Sequence, residues 1–312
     1  MISGVKCIIL GGNGFIGSNL TKMVNQEDTI VIGRSLPAAV NNESKYFSIQ
    51  QYSLREIKEG LTGKADYLVF DLSYNSISNT NPVHPGKDFS ENLNLVIDNL
   101  HFAKSINARK YVYLSSGGTV YGNATQDLIS ESHPTNPASH YGIIKLAAEK
   151  YIQMYCRQND MPYHIVRPSN VYGPGQLPFR GQGIVSTAMA SIMKSKPFTV
   201  YGRGENIRDY IYVDDFCNWL IKLAESGENG EIYNAGSGRG YSVLQILEKI
   251  DAELDVQNVL QINHLPERPF DVRLNVLDNR KIVQNTKINP VTKLGEGIRK
   301  TWEWLKQDDY YR

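Results

Sequence analysis

Tyr141 and Lys145 stand four residues apart in the stretch Tyr-Gly-Ile-Ile-Lys-Leu-Ala-Ala-Glu-Lys. On a helix that spacing puts both side chains on one face. A phenol with an ordinary pKa of about 10 is a poor base at neutral pH. An ammonium group one turn along favours the phenolate and brings that pKa down, which makes the tyrosine a proton shuttle. A chain with 19 tyrosines offers such pairs by chance, so the pair takes its meaning from a second group of residues. Residues 7–20 read Cys-Ile-Ile-Leu-Gly-Gly-Asn-Gly-Phe-Ile-Gly-Ser-Asn-Leu. Gly11 permits a sharp turn, Gly14 lets the backbone approach a pyrophosphate, and Gly17 lets the new helix sit close to the strand. The helix opening at Phe15 and Ile16 then offers free N–H groups and its positive dipole end to phosphates. A dinucleotide cradle beside a proton shuttle is the equipment for moving hydride to and from an alcohol.

These groups need a scaffold, and the apolar pattern supplies one. Residues 7–10, 29–32, 67–70 and 110–114 read as strands. Between the last two, residues 93–106 carry Leu93, Val96, Ile97, Leu100 and Ala103 on one helical face. Strand-helix alternation implies right-handed crossovers and a parallel sheet covered by helices on both faces. Residues 75–86, rich in Asn, Ser and Pro, read as a surface loop. After about Pro174 the pattern loosens into Gly- and Pro-bearing loops, a short strand at 198–201 and a C-terminal helix near 294–306. This predicts two parts, 1–173 for the dinucleotide and 174–312 mainly for a substrate with some segments returning to the sheet, the second part closing over the carboxyl ends of the sheet strands.

Composition fits an enzyme of the cytoplasm. The 312 residues are 41% hydrophobic with a formal net charge of +1. Near-zero charge gives no electrostatic case for nucleic acid or an anionic membrane. No long apolar run or leader is expected, since residues 1–5 run straight into the first strand. Cys7, Cys156 and Cys217 are odd in number and widely spaced, which predicts reduced thiols and no metal.

Further motifs follow in order: Leu114-Ser-Ser-Gly-Gly-Thr-Val-Tyr-Gly122, Arg167-Pro-Ser-Asn-Val-Tyr-Gly-Pro174 and Arg208-Asp-Tyr-Ile-Tyr-Val-Asp-Asp215. With the glycine loop and Tyr141-x-x-x-Lys145, this set resembles the extended short-chain dehydrogenase/reductase family, in the branch that includes UDP-galactose 4-epimerase. The resemblance runs from about residue 5 to residue 305. It implies an α/β fold, a Rossmann-type doubly wound parallel sheet with a smaller C-terminal substrate-binding lobe. It also implies NAD as cofactor, a nucleotide sugar as substrate and a homodimer formed through two helices per subunit.

By that resemblance Tyr141 is the catalytic acid/base, and Lys145 holds the nicotinamide ribose while lowering the tyrosine's pKa. The family's third catalytic residue is a Ser or Thr three places before the Val of Val-Tyr-Gly, where this chain has Gly117. The role passes to Ser116, with Thr119 as understudy. Asn170 is placed to hold the nucleotide diphosphate, and Arg208 and Arg268 to neutralise it, since a guanidinium fork can donate two parallel hydrogen bonds to phosphate. Tyr201 is placed to pack on the base and Asp271 to accept from the nucleoside's ribose. Asn275 falls where some relatives carry a bulky tyrosine against the sugar's 2-substituent, so the smaller residue leaves room for an N-acetylated hexose.

One position departs from the NAD pattern. The second strand of such folds ends in an acid that takes the adenosine ribose hydroxyls, and here that slot is Gly33, followed by Arg34 and Ser35. Losing the carboxylate removes repulsion of a 2′-phosphate, and Arg34 can pair with one, so NADP stands beside NAD. The resemblance thus implies a nucleotide-sugar 4-epimerase or, alternatively, an NADPH-dependent 4-keto-6-deoxy sugar reductase. A 4,6-dehydratase fits less well, because that subgroup has an Asp-Glu pair where this chain has Gly118 and Thr119.

Overall fold

The computed structural model describes residues 5–35, 44–61, 66–75, 84–225, 228–254, 260–268 and 271–307. Strands and helices alternate through the first half: β1 (Lys6–Leu10), α1 (Phe15–Met23), β2 (Thr29–Gly33), β3 (Lys45–Ser48), α2 (Leu54–Glu59), β4 (Tyr67–Asp71), α3 (Pro85–Ser105), β5 (Lys110–Leu114), α4 (Gly117–Val120), α5 (His140–Gln158) and β6 (Tyr163–Pro168). The second half adds β7 (Asn170–Tyr172), α6 (Ile184–Met193), β8 (Phe198–Tyr201), β9 (Ile207–Tyr212), α7 (Val213–Glu225), β10 (Glu231–Ala235), β11 (Gly240–Ser242), α8 (Val243–Leu254), β12 (Ile262–Leu265), β13 (Leu274–Asn275), α9 (Arg280–Thr286) and α10 (Leu294–Gln307).

Seven strands form one parallel sheet in the order β10-β6-β5-β4-β1-β2-β3. The apolar runs are double-sided, as a sheet covered on both faces requires. Cys7 and Ile9 point into one core with Leu68, Phe70 and Val112. Ile8 and Leu10 point into the other with Val69, Tyr111 and Ile165. Helices α1 and α7 pack together, and so do α3 and α5. The strand order reverses beside β1, between β4 and β2, which is where such sheets hold ligands.

The remaining strands make two small sheets. One runs β11-β9-β13, with β7 also paired to β9; the other pairs β12 with β8. Only Ser169 separates β6 from β7, so the big sheet hands the chain directly to the small one. The chain then returns, because α7 leads into β10, the edge strand beside β6.

The doubly wound parallel sheet and the short strand at 198–201 are as the sequence predicts. Helix α3 begins at Pro85, eight residues before the expected start, and residues 76–83 of the expected loop lie outside the described residues. Proline at the first helical position costs no hydrogen bond, so polar character there does not delay the helix. The apolar sides of α3 and α5 are taken up by the chain's own sheet, through Val96, Leu100, Ala148 and Ile152. Among the described residues no helix is long and apolar enough to cross a membrane. All three cysteines are buried free thiols, and burial pushes Cys7 up to about 12.

Candidate active site

A cleft of about 1530 Å³ runs from the glycine loop, past the carboxyl ends of β4, β5 and β6, to the small sheets. The loop is built for close approach. Gly11 has φ +77°, and a Cβ there would lie 2.9 Å from the Leu72 carbonyl carbon. A Cβ at Gly17 would lie 2.6 Å from the Gly11 oxygen. Helix α1 starts after Gly14 with no side-chain cap and no acidic residue in its first turn. Its leading N–H groups therefore face the cleft with no carboxylate competing for them, and the cradle fits a dinucleotide pyrophosphate. Gly11, Gly14, Phe15, Ile16, Gly17, Arg34 and Ser35 all line this end.

Tyr141 lies in the first turn of α5, which Ser139 caps by accepting from the Gly142 N–H at 3.1 Å. The Ser116 side chain lies near the Tyr141 phenol and favours the phenolate. Ser116 precedes the one-turn α4, and Thr119 follows within it. Thr119 lines the cleft, and its hydroxyl is itself buried, with no hydrogen-bond partner. A buried hydroxyl left unsatisfied is costly, and a sugar hydroxyl in the cleft would satisfy it.

Lys145 is 3% exposed. Its Nζ donates to the Leu114 carbonyl at 2.7 Å and to the Tyr113 hydroxyl at 3.3 Å. It lies 5.9 Å from the Tyr141 ring centroid and 5.0 Å from that of Tyr74. The predicted acidified phenol is not what this arrangement gives. Burial pushes Tyr141 up to about 12, and the opposing influence is Ser116 rather than Lys145. Burial also brings Lys145 down to about 8, with Asp71 and Glu149 pulling it back up. Desolvation outweighs the attraction between the two groups because each is buried and the ammonium is turned toward Leu114.

Beneath this pair lies a polar network that the sequence reading did not single out. Glu149 and Arg167 are 0% and 2% exposed and form a two-pronged pair, at 2.9 Å from Nε and 2.6 Å from Nη2. Ser115 donates to Glu149, and Arg167 Nη1 donates to the Tyr121 hydroxyl at 2.8 Å. Under β4, Asp71 accepts from Tyr111, from Asn99 at 3.0 Å and from Ser73 at 2.5 Å. Tyr74, from the loop after β4, meets Tyr141 edge-on at 5.0 Å. Signals for these were present: Glu149 continues the Tyr141, Lys145 face by one more turn, and Tyr74 follows the carboxyl end of a central strand, where ligands of such sheets bind.

The far wall collects the predicted substrate residues. Asn170 opens β7, Tyr201 ends β8 and Arg208 lies in β9, all lining the cleft with Arg268 and Asp271. The Arg268 guanidinium lies flat on the Tyr201 ring, 3.5 Å from its centroid. Burial lowers the Arg208 pKa and Asp271 opposes that shift, so the two are electrostatic neighbours. Asn275 is different. It is 1% exposed, donates to the Gly117 carbonyl at 3.0 Å, and is not part of the cleft wall. The side chain expected to leave room for a 2-substituent is held in a buried contact outside the cleft wall.

Residues 7–236 match the model of the NAD dependent epimerase/dehydratase family. The chain is 27% identical over 311 residues to the UDP-glucose 4-epimerase of Mycolicibacterium smegmatis, covering 97% of this chain and 99% of that one. It is also 27% identical over 308 residues to the dTDP-4-dehydro-6-deoxyglucose reductase of Escherichia coli, covering 94% and 95%. The solved structure of the UDP-glucose 4-epimerase of Thermotoga maritima with UDP-glucose is similar with a TM-score of 0.86 at 26% identity, over 97% of this chain and 99% of that one.

Proposed function

The chain belongs to the NAD-dependent epimerase/dehydratase family, and from that premise we propose that it is a UDP-hexose 4-epimerase working through a transient 4-keto sugar. The observation that carries this reading is the convergence of Tyr141, Ser116, Asn170, Arg208 and Arg268 on a single cleft that begins at the glycine loop.

When bound, NAD supplies the acceptor for the hydride from sugar C4 and the donor for its return. The loop from Gly11 to Gly17 holds the pyrophosphate, and Lys145 and Tyr141 face the nicotinamide end. Tyr141, acting as the phenolate, takes the proton of the C4 hydroxyl to become the phenol as oxidation proceeds and gives it back on reduction. Ser116 lends a hydrogen bond that favours the phenolate, and Thr119 offers its unpartnered hydroxyl to the sugar. Burial brings Lys145 down to about 8, which leaves it largely cationic at neutral pH, and a cation one turn away favours the phenolate that Tyr141 must be before it takes the proton. Asn170, Arg208 and Arg268 grip the diphosphate and Tyr201 the base, with Asp271 toward the nucleoside ribose. A fixed nucleotide lets the 4-keto sugar turn and present its other face.

The test is to denature the purified protein, identify any released dinucleotide, and follow UDP-glucose and UDP-galactose by NMR. Interconversion without net consumption of cofactor is expected. Tyr141→Phe should lose about 10²–10⁴ in turnover and keep its dinucleotide. A second reading, an NADPH-dependent 4-keto-6-deoxy sugar reductase, is favoured by Gly33 and by the reductase relative. NADPH oxidation on a 4-keto sugar nucleotide, with no interconversion of the UDP-hexoses, would establish it instead. Three buried unpaired thiols fit a reducing compartment such as the cytoplasm. A homodimer is part of the same reading, and a sedimentation mass of one chain would remove it.

A further inference from the structure

At the adenosine end of the cleft, Gly33 lies directly against the Asn13 side chain. In dinucleotide folds the second strand ends in an acid that binds the adenosine ribose hydroxyls. Here β2 ends at Gly33, and the space that a side chain would enter there is taken by the Asn13 side chain. A Cβ on Gly33 would lie 2.9 Å from Asn13 Cγ and closer still to its Nδ2. The Asn13 carboxamide, projecting from the glycine loop, covers Gly33 and donates to the Ser35 carbonyl. Ser48 Oγ donates to the Arg34 carbonyl at 2.7 Å, fixing the turn that follows β2. Arg34 itself lines the cleft, its Nη1 on the Asn75 carbonyl at 3.0 Å.

We propose that Asn13 reads the adenosine ribose in place of the missing acid, and that the site accepts both NAD and its 2′-phosphorylated form. This rests on the NAD-binding reading above. A carboxylate can only accept hydrogen bonds, and its charge repels a phosphate. A carboxamide accepts from a ribose hydroxyl through its oxygen and donates to a phosphate through its nitrogen. The charge around it agrees. Among the described residues lining the cleft, the carboxylates are Asp98, on α3, and Asp271, beside Arg208. The 33–35 turn and the 49–54 segment bring none, while Arg34 brings a cation.

The test is calorimetric titration of the full chain, freed of co-purified dinucleotide, with NAD⁺ and NADP⁺ separately. The expected dissociation constants lie within about thirtyfold of one another. Asn13→Ala should weaken both by about fivefold, the effect of one lost hydrogen bond. Asn13→Asp should recreate the acid and weaken NADP⁺ more than thirtyfold relative to NAD⁺. Asn13 is exposed, and unchanged melting temperatures would establish that the variants fold. A wild-type preference for NAD⁺ beyond thirtyfold overturns the proposal. So does Asn13→Ala binding both dinucleotides as wild type does, or Asn13→Asp leaving their ratio unmoved. Binding of neither dinucleotide would instead overturn the cofactor reading on which the proposal stands.

Discussion

Tyr141 and Lys145 ride on a 19-residue helix that buried charge ties to the sheet, whereas Tyr201 and Arg268 ride on a short strand and the segment after another and are held by each other. Along α5, every fourth residue from Tyr141 is polar and turned inward: Tyr141, Lys145, Glu149. The last is locked to Arg167 of β6 with almost no exposure to solvent. On the far wall the recognised partners are a stacked ring and cation and an exposed Asn170 at a strand's first residue. Proton transfer needs reacting atoms placed within fractions of an ångström, so that end is rigid. On the proposed reading the far wall grips a diphosphate, which tolerates adjustment because guanidinium groups would reach it on flexible stems.

The sharpest way to break this contrast is to cut the tie under α5. Glu149→Gln leaves the Arg167 charge buried without its counter-ion and should cost about 3–5 kcal/mol in urea unfolding. A midpoint equal to wild type would mean the helix is held by packing alone. Next comes the pH dependence of stability. Folding takes Lys145 from its ordinary 10.5 to about 8. Between those values the unfolded chain binds more protons than the folded one, so stability rises with pH across that window, by on the order of 3 kcal/mol. Lys145→Met should flatten that rise. Buried tyrosines act in the opposite sense above about pH 10, so the difference between the two proteins is the quantity to plot.

On the recognition side the effects should be smaller and appear in binding. Arg268→Ala removes one charge-assisted contact, worth about 1.5–3 kcal/mol, and should raise KM for the nucleotide sugar with kcat within about threefold. A fall in kcat at constant KM would move Arg268 to the catalytic end. The smallest effect is expected at Asn275. Asn275→Ala loses its bond to the Gly117 carbonyl and should cost about 1 kcal/mol of stability. The ratio of turnover between UDP-galactose and its N-acetyl analogue should not move, and a changed ratio would return Asn275 to the sugar pocket.

Much of this was legible in the sequence because local rules carried it. The glycine spacing with a following helix pointed to the cradle, and the unbroken apolar run of residues 7–10 pointed to a strand covered on both faces. Asn170, Tyr201, Arg208, Arg268 and Asp271 come from distant segments, yet their motifs stood in a recognisable order. What failed depended on burial. The Tyr141–Lys145 pairing followed from spacing, but the net direction of the Tyr141 shift was decided by desolvation, which no spacing reveals. Asn275 looked like a wall residue by alignment of motifs and is a core residue by packing against Gly117. Asn13 and Gly33 are twenty residues apart, and only the parallel pairing of β1 with β2 brings them together.

The return of the chain through β10 has a consequence for how this protein is made. The edge strand that completes the seven-stranded sheet ends at Ala235, after the ribosome has already produced β7, β8, β9 and α7. A nascent chain therefore cannot finish its first half before most of its second half has emerged. Truncations ending near residue 173 should leave β6 with a bare, sticky margin and be aggregation-prone, and no shortened fragment of that kind would serve as a stand-alone dinucleotide carrier.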